Sequence, residues 1–148
     1  MSLRLSLIFL SLVTLPVASA PILLVTQDEM LESNSANLLF ISKVASPPNA
    51  PVIDILVPKL DAPVASPTSI SLRFTSRDPS KVKADTFKVY YGTFQIDITN
   101  RLLGVAQVTE QGMSLKEVAL PKGNHKILIN VEDSEGRVGS RFVEFEIK

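Results

Sequence analysis

From Ala50 onward, apolar and polar residues alternate in short runs separated by turn residues. A period of two places successive side chains on opposite faces of a pleated strand, so each run predicts a strand with one buried face. "SPTSISLRFTS" is the clearest: Ile70, Leu72 and Phe74 share one face, and Ser71 and Arg73 share the other. "PVIDILVPKL" puts Ile53, Ile55 and Val57 in phase, and its flanking prolines confine it to an edge or to strand ends. Further on, "SLKEVAL" keeps Val118 and Leu120 in phase, and "HKILINV" does so for Ile127, Ile129 and Val131. "RFVEFEIK" turns Val143, Phe145 and Ile147 inward and leaves Phe142, Glu144 and Glu146 outside.

The segment "TFKVYYGTFQIDIT" can be tested against its own pattern. A two-residue hairpin turn at Gly92-Thr93, with glycine at the first central position, would pair Tyr91 with Phe94, Val89 with Ile96 and Phe87 with Ile98. All six side chains then fall on one face. On the other, Lys88 meets Asp97 as an opposite-charge pair, and a slip by one residue would bury those charges. "DSEG" reads as a turn in which Asp133 bonds the backbone and Gly136 supplies a positive φ. Together these runs predict an all-β, antiparallel sandwich of about seven strands in roughly a hundred residues, the immunoglobulin-like count.

The N-terminus follows other rules. "MSLRLSLIFLSLVTLPVASA" has Arg4, an apolar run from Leu5 to Val17, and small residues at Ala18, Ser19 and Ala20, the three parts of an export signal. Cleavage after Ala20 leaves Pro21 at the first mature position; cleavage after Ser19 avoids this. Because "PILLVT" prolongs the uncharged run to Thr26, an uncleaved anchor reaching about residue 26 is the alternative. Residues 21–49 contain Ser, Asn and Pro without clear periodicity and read as a flexible linker, "NLLFISKV" being a possible short strand within it. The expected organisation is therefore a signal over 1–20, a linker over 21–49 and a sandwich over 50–148.

Composition narrows the functions. Apolar residues at 45% and charged residues at 20% fit a globular core. Lys+Arg and Asp+Glu balance at 15 each, so no excess positive charge points to nucleic acid. Cysteine is absent, which removes disulfides, thiol catalysis and cysteine-based zinc sites.

Residues Pro121, Gly123, His125, Ile127, Ile129, Val131, Asp133, Gly136 and Gly139 carry a resemblance. The chain over about 50–148 resembles bacterial immunoglobulin-like and fibronectin type III-like modules, in which "LP-x-G" precedes an alternating strand ending in "D-x-x-G". More loosely it looks like small exported proteins of Gram-negative bacteria. It lacks the Cys pair and core Trp of antibody-type domains. The resemblance implies a structural role for His125, the only histidine. It stands two residues before Ile127, where a corner aromatic bonds upstream backbone in such sandwiches.

Chemistry is sparse. No "GxSxG" context surrounds a nucleophile, leaving a hydrolase built on His125 as the remote alternative. Asp133 and Glu135 are too few for the six or more oxygens of a calcium site. No Gly-rich phosphate loop is present, and no catalytic, cofactor-binding or metal residue is assigned. Tyr90 and Phe142 are outward aromatics and mark a candidate contact surface, with Gly92, His125, Asp133 and Gly136 as structural positions. The expected function is a non-catalytic exported module binding or scaffolding another cell-envelope protein. It would be periplasmic or secreted, or held at the inner membrane by an uncut signal. A carbohydrate- or surface-adhesive module is the alternative.

Overall fold

The computed structural model describes residues 20–35, 46–77 and 79–148. The export signal over 1–20 falls outside that set apart from Ala20, as does "NLLFISKV" over residues 37–44. Among the described residues, one sheet has the order β1 (Ile22–Leu23), β7 (Gly112–Ala119), β3 (Thr68–Thr75), β2 (Val52–Val57), with β6 (Val108–Thr109) also paired to β7. The other has the order β5 (Ile96–Asp97), β4 (Val82–Tyr91), β8 (Gly123–Asp133), β9 (Val138–Ile147). Paired strands run antiparallel except β1 and β7, which are parallel. Among the described residues two helices, α1 (Gln27–Ser35) and α2 (Thr99–Leu103), accompany the two sheets of this all-β fold.

Alternation builds the core. Leu72 and Phe74 of β3, Phe87, Val89 and Tyr91 of β4, Ile129 and Val131 of β8, and Val143 and Ile147 of β9 are all buried. Phe74 and Phe87, one from each sheet, bring their ring centroids to 5.8 Å. Each such side chain contributes about 1.5–3 kcal/mol on burial.

Val57 departs from its expected facing. β2 pairs Ile55 with Leu72 but Val57 with Ser71, so Leu56 is an extra residue in the ladder. That bulge turns Val57 to the outer face, where it is 40% exposed. A similar shift in β7 lies at Glu117, whose φ is 56°, and it lets Leu115 and Val118 both face inward.

The hairpin after β4 is also different. Tyr91 pairs with Ile96 and Tyr90 with Asp97, leaving residues 92–95 as the turn. A two-residue change of register preserves facing, so Phe87, Val89, Tyr91 and Ile98 remain buried. Phe94 instead enters the turn and is 56% exposed. Lys88, expected opposite Asp97, reaches it diagonally at 3.6 Å.

Helix α1 accounts for the longer turn. Thr93 donates its backbone N–H to Ser33 Oγ at 2.9 Å, and its hydroxyl donates to the Ser33 carbonyl at 2.8 Å. Gly92, with φ 68°, lies so close that a Cβ there would collide with the Ser33 side chain.

This docking corrects the linker expected over 21–49. Its described N-terminal part is packed onto the sandwich, with Leu24, Val25 and Met30 buried. The helix opens on a reciprocal cap: Glu29 N donates to Thr26 Oγ1 at 3.2 Å, and Thr26 N to Glu29 Oε2 at 2.9 Å. Arg101 of α2 then grips both Glu29 oxygens, at 2.9 and 2.7 Å, and donates to the Leu24 carbonyl at 3.0 Å. The arginine and the Thr26 N–H hold the Glu29 carboxyl down at about 2. Of the apolar run through "PILLVT", Leu24 and Val25 enter the core while Leu23 stays 60% exposed.

The long edge strand β9 is fastened at both ends. Ser140 N donates to Ser46 Oγ at 3.0 Å, Val64 N donates to the Glu146 carbonyl at 2.8 Å, and Lys148 N donates to the Val64 carbonyl at 3.1 Å. Gly139 lets the start of β2 close on β9, since a Cβ there would meet the Pro51 carbonyl oxygen.

Candidate functional site

His125 enters the core from the start of β8 and has no solvent exposure. Its Nε2 lies 2.7 Å from the Pro121 carbonyl oxygen. A carbonyl only accepts, so Nε2 carries the proton, and Nδ1 accepts from the Tyr91 hydroxyl at 2.8 Å. The ring also stacks on Phe145, with centroids 5.4 Å apart and planes 20° apart.

Burial pushes the His125 pKa below its ordinary value, with the Pro121 bond opposing in part. Burial, helped by the Glu29 charge, pushes the Tyr91 hydroxyl up to about 12. Both groups are therefore neutral near pH 7, in a chain running from the Tyr91 hydroxyl through the imidazole to upstream backbone. A general base must reach the proton it abstracts. Here both ring nitrogens are engaged and the ring is sealed from solvent.

The Asp133 turn is similarly self-contained. Oδ1 accepts from the backbone N–H groups of Glu135 and Arg137, each at 3.0 Å, while Oδ2 accepts from Arg137 Nε at 2.8 Å. Gly136, at φ 75°, closes the turn by donating its N–H to the Asp133 carbonyl at 3.0 Å. Burial acts to raise the Asp133 carboxyl, but the Arg137 and Glu135 donors outweigh it and hold it below the usual range. With its oxygens so engaged, this carboxylate is a turn component. Among the described residues, no three His, Cys, Asp or Glu side chains gather into a possible metal site.

The outer face of the second sheet is different. Tyr90 pairs across the ladder with Leu128, and Leu128 with Phe142. The two outward aromatics therefore stand on one row, about 10 Å apart across three strands, with Leu128 between them. Phe142 is 46% exposed, and Tyr90 and Leu128 are half-buried. Ion pairs border the row: Lys88 with Asp97 at 3.6 Å on one side and Lys126 with Glu144 at 3.9 Å on the other. Beside it, Asn130, flanked by Lys88 and Ser140, has a buried Oδ1 without a hydrogen-bond partner.

Tyr90 and Phe142 are thus brought together, whereas His125, Gly92, Asp133 and Gly136 sit in the core and the turns. Leu128 was missed as a member of the face, although its signal was present: an apolar residue at an outward position of "HKILINV". Tyr91 as the partner of His125 had no local signal, because 34 residues separate the two.

Fold and face define the class no more narrowly than a two-sheet β-sandwich with an apolar row on one outer surface. No protein-family model, curated protein or solved structure matches the chain.

Proposed function

We propose that this protein is a non-catalytic, exported, immunoglobulin-like module that binds or scaffolds another protein of the cell envelope. Its contact surface is the outer face of β4, β8 and β9. The Tyr90–Leu128–Phe142 row carries this reading: an aromatic centre inside a charged rim is the usual anatomy of a protein contact. Strand order supports the immunoglobulin-like assignment, since β2, β3 and β7 share one sheet and β4, β8 and β9 the other, as strands A, B, E and C, F, G do. His125 bonding backbone at the start of β8 fits the corner of such domains. The burial of Leu24 and Val25 favours a signal cut after Ser19 or Ala20 over a longer anchor.

Photo-crosslinkers placed at Tyr90 and Phe142 in intact cells are expected to capture one reproducible envelope protein. A crosslinker at Arg73, outward on the other sheet, serves as the control. Equal yields from all three positions, or no reproducible product, would sink the assignment. The adhesive alternative would place a glycan on the same two rings. Unchanged glycan binding in a protein carrying both Tyr90→Ala and Phe142→Ala removes that second reading.

A further inference from the structure

A separate feature lies where the start of β2 meets β9. There a pocket of about 300 Å³ is lined by Arg77, Arg141, Ser46, Ser140 and Asn49, among others, with no acidic residue in its described lining. Arg141 has the strand parity of the buried residues Val143 and Ile147, yet it is exposed. Neither Arg77 nor Arg141 makes an ion pair among the described residues. Two arginines in the described lining, with no carboxylate among its described residues, concentrate positive potential there, and a guanidinium fork is chemically matched to an oxyanion.

The frame of the pocket is stiff. Ala50 N donates to the Pro47 carbonyl at 3.1 Å, and Asn49 has φ 64°, so Pro47 to Ala50 form a turn whose central Pro48 has its φ locked by the ring. Arg77 is held at its backbone, where Ser80 donates its N–H and its hydroxyl to the Arg77 carbonyl at 2.9 and 2.6 Å. On β9, Ser140 N donates to Ser46 Oγ at 3.0 Å; that hydroxyl accepts there and keeps its own hydrogen to donate. A fixed wall loses little entropy when a ligand is bound.

We propose that this pocket binds a phosphate group, with Arg77 and Arg141 as its charged ligands and the Ser46 hydroxyl as a neutral donor. The inference does not depend on the sheet-face reading above. A soluble phosphate compound and a phospholipid headgroup present the same chemistry, and the experiment separates them.

The mature protein is titrated with inorganic phosphate at low ionic strength, following backbone amide NMR shifts, and its cosedimentation is measured with phosphatidylcholine vesicles with and without phosphatidylglycerol. Phosphate is expected to move the amides of Ser46, Ser140 and Arg141 saturably and to leave Ser114 in place. Arg77→Ala and Arg141→Ala should each weaken binding at least tenfold without changing the melting midpoint, both side chains being exposed. Arg141→Lys should retain part of it as a point charge. Phosphate binding without cosedimentation identifies a soluble ligand, and arginine-dependent cosedimentation identifies a headgroup. Absence of both, or shifts of the same size in the double alanine variant, overturns the proposal. Equal shifts with chloride at matched ionic strength do so too, even if a variant fails to fold.

Discussion

Consider replacing Tyr91 by Phe. The ring and its packing remain, and only the hydroxyl that donates to His125 Nδ1 at 2.8 Å is lost. That nitrogen then keeps a lone pair with no donor, in a site without solvent access. Stranding a buried acceptor costs about 1–3 kcal/mol, and for a domain of this size that lowers the melting midpoint by roughly 3–12 °C. The background decides the sign. In a His125→Ala protein it is the Tyr91 hydroxyl that is stranded, so Tyr91→Phe there should be neutral or stabilising. Urea and thermal unfolding of the four proteins of this cycle, at pH 7.5, measures the coupling. An equal loss from Tyr91→Phe in both backgrounds would refute the hydrogen bond and the tautomer assigned from it.

Two further outcomes follow from the same geometry. The folded His125 pKa lies below 6.5 and the unfolded one near it, so the unfolded chain binds the proton more readily and acidification favours unfolding. The histidine's contribution is complete above about pH 6.5 and declines below it. Melts from pH 7.5 to 5.5 should lose that slope in His125→Ala, and an unchanged slope would contradict the assignment. Gly92→Ala must take a left-handed φ, at about 1–2 kcal/mol, and also push Ser33 aside. It should strip hydrogen-exchange protection from Met30 and Thr93, whereas Gly136→Ala, with no atom within 4 Å, should cost only the first amount and leave α1 docked.

Strand facing was legible in the sequence because burial enforces it residue by residue: Leu72, Phe74, Phe87, Val89 and Val131 all alternate with polar neighbours. Exact pairing was less so. Tyr91 against Phe94 and Tyr91 against Ile96 obey the same parity, and the choice between them comes from Ser33, about 60 residues away in the chain. Val57 was misread because one extra residue in a ladder reverses every facing beyond it, and nothing in "DILVP" announces the bulge. Helix α1 did leave a mark in Thr26 and Glu29, three residues apart before Met30, the spacing of a reciprocal cap. Its short span and single buried apolar side chain hid it from a periodicity argument. Of the candidate face, the two aromatic residues were readable and their adjacency was not, because it depends on β4 and β9 both pairing with β8.

The fastening of β9 also decides how many neighbours the strand can recruit. In an antiparallel strand alternate residues send both backbone groups to the same side, and Ser140, Glu146 and Lys148 send theirs away from β8. Phe142 and Glu144 share that direction, so with Ser46 at one end and Val64 at the other, the stretch of this edge left open among the described residues centres on these two residues. Two residues are too few to fix a register. A foreign strand laid there would find no template to extend, so a chain without disulfides can remain crowded among its own copies without zipping into fibres along this edge.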